Sequence, residues 1–200
     1  MIYRLLKPIL YLLAILKAGL ITVRRNKRIL LELGADEKRK GWTTLGLNIG
    51  CDLFWDVNNR LPFRSNSVDQ IYSSHLLEHL SYLDGQCLIG ECHRVLKPGG
   101  TFFVCVPNAK LYIRAYCQNQ ELNKEKFLSC EESRNDNTKI SLINYVAYMG
   151  GQHKTMFDVE GLIYRLKAGG FEDVVERETD LNLDTNNRQE QSIYARAVKK

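Results

Sequence analysis

Apolar positions divide the chain into an N-terminal helix, a strand-rich middle and an end made of one helix and a hairpin. From Pro8 to Val23 nearly every residue is apolar, and Lys17 is the only charge in that run. A weakly polar or small-residue stripe of Lys7, Tyr11, Ala14, Ala18 and Thr22 recurs at helical spacing, with Leu, Ile and Val on the other flanks. This spacing predicts an amphipathic helix with a very wide apolar face. With Pro8 as its first residue the helix rises about 24 Å, short of the roughly 30 Å hydrocarbon core of a bilayer.

Beyond it, Arg28 to Leu33 is a short apolar run closed by Gly34, which suits a buried parallel strand entering a turn. Thr43 to Asn48, Asp52 to Asp56 and Val68 to Ser73 give three more strands. Helices are predicted from His75 to Leu80 and from Asp84 to Leu96, the second ended by Lys97-Pro98-Gly99-Gly100. Thr101 to Val106 is the fifth strand, stopped by Pro107. Near the end, Asp158 caps a helix that runs to Gly169-Gly170. Phe171 to Glu178 and Ser192 to Val198 follow as strands joined without an apolar helix, which implies an antiparallel pair.

Strands alternating with helices predict an α/β fold: a mostly parallel, doubly wound sheet covered on both faces and ending in an antiparallel hairpin. A chain of 200 residues, 44% hydrophobic, suffices for one sizeable core. The organisation read from it is a helix over residues 1–25 and one domain over 26–200, with an insertion at about 108–152. That insertion, which carries a polar tract from Ser129 to Lys139, is expected over the end of the sheet where open α/β folds bind ligands.

Charge narrows the choice of partners. The formal net charge is +5, but the basic excess lies in Met1 to Lys40, and the remainder is slightly acidic. No basic stripe with interleaved aromatics follows Lys40, which argues against nucleic acid and for an anionic membrane surface touched by residues 1–28. The alternative for the helix is docking on the domain or on a second subunit. Cys51, Cys87, Cys92, Cys105, Cys117 and Cys130 form no CxxC pair and read as reduced packing residues. Cys87, Cys92 and His93 share one predicted helix, but no second ligand pair stands at a zinc-site spacing, so no metal site is expected.

Several motifs occur in a telling order: Leu31-Glu32-Leu33-Gly34, Gly41-Trp42, Leu61-Pro62-Phe63, Ser67-Val68-Asp69, Ser73-Ser74-His75-Leu76-Leu77-Glu78-His79, and Arg94-Val95-Leu96-Lys97-Pro98-Gly99-Gly100. This series resembles the class I S-adenosylmethionine-dependent methyltransferases of the type 11 group. It is nearest to the small predicted methyltransferases of bacterial cell-surface polysaccharide loci. The likeness covers about Ile29 to Val106 and resumes loosely at Gly150-Gly151, His153-Lys154, Phe157-Asp158 and Ala168-Gly169-Gly170-Phe171.

The resemblance implies a Rossmann-like seven-stranded sheet and S-adenosylmethionine as cofactor. It implies that the first strand leads through Glu32 into a cofactor turn of Gly34, Ala35 and Asp36, that Asp56 lies beside the adenine, and that Ser73, Ser74 and His75 close the pocket. Two positions depart from the family pattern. Asp36 stands where a further glycine is usual, and Gly46 stands where an acidic residue accepts hydrogen bonds from the ribose, with Asn48 and Asp52 the nearby substitutes. Loss of a charge-assisted hydrogen bond costs about 1.5–3 kcal/mol, so weakened cofactor binding is expected.

Methyl transfer requires in-line positioning and loss of the acceptor's proton. His153 is expected beside the acceptor and His75 as a pocket wall, with Glu78 orienting a neighbour and His79 packing. Tyr112, Tyr116, Tyr145 and Tyr148 either stack on a sugar or form the insertion's core. The reading is a methyltransferase acting on a small molecule or a glycan precursor of cell-surface polysaccharide, cytoplasmic and peripheral at the inner membrane face, with oligomerisation open. Its rival is a catalytically inactive relative that binds or scaffolds.

Overall fold

A computed structural model describes residues 2–23, 28–123, 127–128, 130, 138–184 and 186–200. Arg24, Arg25, Lys27, the Arg4 side chain and most of the polar tract 129–139 lie outside the described residues. Strands β1 (Leu30–Leu33), β2 (Thr43–Gly46), β3 (Leu53–Phe54), β4 (Val68–Ser74), β5 (Leu96–Pro107), β6 (Asp173–Glu176) and β7 (Ser192–Val198) form one sheet. Their order is β3-β2-β1-β4-β5-β7-β6. β1 to β5 run parallel, and β7 is antiparallel to both neighbours. The doubly wound sheet with a terminal hairpin is therefore present.

Its helices are not distributed as the sequence suggested. Residues 34–42, 47–52 and 55–67 link the first four strands without any α-helix, so that end of the sheet lacks crossover helices. Side-chain hydrogen bonds hold these links instead. The Asp52 carboxylate accepts from the Thr44 N–H and hydroxyl at 3.1 and 3.2 Å, and Thr44 Oγ1 accepts from the Asp52 N–H at 3.0 Å. The Arg39 guanidinium lies over the Trp42 and Tyr72 rings and donates to the Leu183 carbonyl at 2.7 Å.

The cover that is missing there is supplied from the N-terminus. Helix α1 (Ile2–Val23) packs against β3 with Ala14 and Ala18 fully buried and Tyr11 stacked on Trp55, ring centroids 4.6 Å apart. It begins six residues before Pro8, so the chain does not start its helix at the proline, and its 22 residues rise about 33 Å. By length and composition it is apolar enough to cross a bilayer. The small-residue stripe faces the domain because small side chains let the helix backbone approach the sheet. Leu6, Ile9, Leu12, Leu13, Ile15, Leu16, Leu20 and Val23 are left exposed.

The other half is conventional. Helix α2 (Tyr82–Val95) starts at Ser81, whose hydroxyl accepts from the Asp84 N–H. Helix α5 (Val159–Ala168) starts at Asp158, whose carboxylate accepts from the Gly161 N–H. Both pack over β5 to β7. The insertion contributes α3 (Ala109–Cys117) and α4 (Ile140–Tyr148), which bury Tyr112, Ala115, Leu142, Tyr145 and Val146 against one another. Where a helix from His75 to Leu80 was expected, only a 3-10 turn over Leu77–His79 forms. His75 adopts φ +49° and its N–H continues the sheet by donating to the Cys105 carbonyl, which prevents a helical start. β5 opens at Leu96, earlier than expected, because the β4–β5 register shifts between Val68 and Gln70 and takes the Pro-Gly-Gly segment into the strand as an irregularity.

Candidate active site

The carboxyl ends of β1, β2 and β4 meet at Gly34, whose φ is +72°. A Cβ at this glycine would come within 2.9 Å of the Leu76 side chain, which would have to move, and the left-handed backbone favours glycine. Around it open three hollows. One, of about 310 Å³, is lined by Gly34, Ala35, Asp36, Gly46, Leu47, Asn48, Trp55, Val57 and Leu76. A second, of about 470 Å³, lies under the insertion and includes Ser74, His75, Glu78, His79, Tyr112, Tyr145 and His153. A third, of about 650 Å³, runs along Glu32 and residues 35–40 toward 181–184. Gly34 and Asp36 border all three.

Asp36 does not fill the space it borders. Its side chain is exposed, and the glycine-like backbone of this turn is confined to Gly34, so the side chain that stands where a further glycine is usual does not block the turn. The ribose side differs more deeply. The Gly34 and Ala35 N–H groups both donate to the Leu45 carbonyl, at 2.9 and 3.2 Å, instead of facing the hollow. A Cβ at Gly46 would lie 2.1 Å from the Ala35 carbonyl oxygen. The backbone of the first turn thus occupies the place of the family's acidic side chain, and Cys51 Sγ donates to the same carbonyl at 3.0 Å. Neither suggested substitute is free, since Asp52 is engaged by Thr44 and the Asn48 side-chain oxygen accepts from the Gly50 N–H.

Other expected cofactor residues are partly engaged. Asp56 lines none of the three hollows, although its neighbours Trp55 and Val57 line the apolar one; its carboxylate accepts from the backbone and side-chain nitrogens of Asn58 at 3.0 and 2.9 Å. Glu32 pairs with Arg39 at 3.5 Å, and burial, opposed by that guanidinium, raises its carboxyl above the usual range. Ser73 is fully buried and its hydroxyl has no partner among the described residues, whereas Ser74 borders two hollows. The sequence did not single out Trp55 or Leu76, which supply the apolar walls. Trp55 Nε1 is buried without a hydrogen-bond partner among the described residues. An aromatic beside the Asp56 position was the available signal.

On the acceptor side the expected histidines do converge. His75 Nε2 is 2.8 Å from Ser192 Oγ, and its Nδ1 is 3.3 Å from Glu78 Oε1. His153 is buried, and its Nδ1 lies 2.9 Å from the Val146 carbonyl. A carbonyl can only accept, so the proton sits on Nδ1 and Nε2 keeps its lone pair. Burial, ahead of the opposing effects of that carbonyl and Glu78, holds the His153 pKa below the ordinary histidine value. His79, expected only to pack, joins the group: its ring lies 5.0 Å from that of His153, and its Nδ1 is 3.2 Å from the Gln152 carbonyl. Tyr112 and Tyr145 border this hollow, while Tyr116 and Tyr148 are exposed and do not.

This strand order, with hollows at the carboxyl edge, is a Rossmann-like α/β architecture of the kind found in class I methyltransferases. Residues 53–104 match the family model described as "Methyltransferase domain". A stretch of 48 residues is 44% identical to a protein of Mycolicibacterium smegmatis named "Probable S-adenosylmethionine-dependent methyltransferase", covering 24% of this chain and 18% of that one. The chain therefore matches under a fifth of that curated relative's length.

Solved structures share the whole fold at low identity. A methyltransferase from Archaeoglobus fulgidus is 18% identical at a TM-score of 0.54, with 95% of this chain and 94% of that one aligned. One from Thermotoga maritima is 16% identical at 0.53, covering 99% and 93%. Phosphoethanolamine N-methyltransferase 2 of Haemonchus contortus, solved with S-adenosylmethionine, is 13% identical at 0.52, covering 92% and 52%.

Proposed function

We propose that this chain binds S-adenosylmethionine and transfers its methyl group to a hydroxyl or amine of a small molecule or glycan precursor held under the insertion. One observation carries the reading: an apolar hollow and a polar hollow share Gly34, Asp36 and Leu76 in their linings, so a cofactor site and an acceptor site would adjoin at the first turn. The chain's residues fit the adenosyl group at its base, where Trp55, Val57 and Leu76 form the wall and the buried Trp55 N–H lacks a partner among the described residues. They fit its ribose less well, because Gly46 replaces the acid. Bound there, the cofactor supplies a methyl group on a sulfonium sulfur. His153 offers an unprotonated Nε2 to receive a hydrogen bond from the acceptor, and Tyr112 and Tyr145 line the space a ring would occupy.

Glycan precursors of cell-surface polysaccharide fit this reading, and the outward face of α1 supports a peripheral position on a membrane. Its aliphatic side chains remain exposed after the small-residue stripe has docked, an apolar surface that suits the interface of a cytoplasmic leaflet. A second reading is a relative that kept the architecture and lost the cofactor, and the Ala35 carbonyl beside Gly46 is the observation that favours it. Thermal-shift and calorimetric titration with S-adenosylhomocysteine separate the two. Saturable binding supports the enzyme, and no heat and no shift at millimolar ligand supports the rival. Sedimentation of the full chain with anionic vesicles tests the membrane role; failure to co-sediment removes it.

A further inference from the structure

We propose that Glu78, His79 and His153 form a binding site for a divalent first-row transition-metal ion at the polar end of the hollow under the insertion. One ligand atom from each of the three lies within 4.8 Å of the others. Around a zinc-sized ion, ligand atoms stand about 3.4 Å apart, so a pair at the 4.8 Å limit would close by about 1.4 Å to coordinate. Two imidazoles and one carboxylate are a donor set suited to zinc, iron or manganese.

Three independent features point to an ion. Glu78 is 1% exposed, and neither of its carboxyl oxygens accepts a hydrogen bond among the described residues. A buried carboxyl group in that state is costly unless something compensates it. Both histidines direct Nδ1 at a backbone carbonyl, Gln152 for His79 and Val146 for His153, leaving each Nε2 free as a ligand atom. Such outer hydrogen bonds fix the tautomer of metal-bound histidine. His75, with Nδ1 at 3.3 Å from Glu78 Oε1 and Nε2 on Ser192, is placed to orient the carboxylate from behind.

The three residues also come from two separated segments that are tied together. The Lys154 and Thr155 N–H groups donate to the Glu78 carbonyl at 2.8 and 3.2 Å, which fixes His153 beside Glu78 and His79. Three protein ligands leave positions open toward the hollow. The ion would take the His153 lone pair that otherwise receives the acceptor's hydrogen bond, so an acceptor oxygen would bind the ion instead. That role rests on the methyltransferase reading; the binding of an ion does not.

The test uses the full chain stripped with chelator and dialysed, then titrated with Co²⁺ and Zn²⁺, with visible absorption and metal content as readouts. One equivalent of Co²⁺ is expected to give d–d bands that Zn²⁺ displaces, with both effects lost in Glu78→Gln and in His79→Ala. His75→Asn is expected to bind about tenfold or more weakly. Far-UV circular dichroism and melting of each variant establish that it folds, and the near-isosteric Glu78→Gln is the reference if His79→Ala does not. No bound metal, or binding that persists in Glu78→Gln and His79→Ala, overturns the proposal; persistence would assign the ion to surface thiols such as Cys87 and Cys117. S-adenosylhomocysteine titrated into the metal-free protein reports separately on the methyltransferase reading.

Discussion

The two ends of the sheet's carboxyl edge are built on different principles. Toward β4 and β5, strands are long, helices α2 and α5 are capped, and the buried Glu78 and His153 gather with the half-buried His75 and His79. Toward β1, β2 and β3, strands span two to four residues and the links between them contain no α-helix. There, backbone N–H groups that helix N-termini present to ligands in related folds are turned inward to the Leu45 carbonyl. The difference teaches that a nucleotide-binding architecture can be thinned on one side if another element covers the exposed strands. Here α1 does so, and the hollow beside Gly46 and Trp55 is mainly apolar.

Placing an acid at position 46 has the largest expected effect. Gly46→Asp places a side chain against the Ala35 carbonyl and is expected to destabilise the fold by about 3 kcal/mol, measured by urea unfolding, instead of improving cofactor affinity. A stable Gly46→Asp protein with tighter S-adenosylhomocysteine binding would mean that the first turn moves aside freely. Removing residues 2–23 exposes Trp55 and β3, and burial of Tyr11, Ala14, Ala18 and Ile21 on the domain implies a loss of about 3 kcal/mol. The same unfolding experiment reads it; an unchanged midpoint would make α1 a detachable anchor, as the sequence allowed.

Much of the fold was legible because its signals are local. Each of the seven strands overlaps one expected from the sequence, and Ser192 to Val198 was placed residue for residue. The absent helices were not legible, because short strands joined by polar links look the same whether or not a crossover intervenes. The docked face of α1 was hidden for a related reason: a stripe of alanines reads as the less apolar side, yet close approach favours it. Gly34, His75 and His153, expected at the site from motif and position, do line the hollow under residues 108–152. The convergence of Glu78 and His79 with His153 was not legible, because it depends on hydrogen bonds between segments some 75 residues apart in the chain, Lys154 and Thr155 to Glu78.

Smaller effects sharpen the contrast. Because burial lowers the His153 pKa, the folded protein resists a proton that the unfolded chain accepts, so stability is full above about pH 6.5 and declines as pH falls below it. Urea midpoints between pH 7 and pH 5 are expected to show this slope, and His153→Gln to reduce it. His93, also lowered chiefly by burial, retains a share; an unchanged slope in His153→Gln would place the effect elsewhere. The smallest expected effect is that of Asp36→Gly. Removing an exposed carboxylate at the meeting of the hollows is expected to tighten S-adenosylhomocysteine binding by up to about fivefold without loss of stability.

Methyl transfer by this chain requires the hollow between Gly34, Trp55 and Leu76 to accept an adenosyl group. Isothermal titration of the full chain with S-adenosylhomocysteine tests it directly when paired with Gly34→Val, whose side chain would meet Leu76 in a left-handed backbone. One saturable site in the native chain, abolished in a variant that still folds or in Leu76→Trp if it does not, is the predicted result. No heat at millimolar ligand, or binding indifferent to both substitutions, would contradict it.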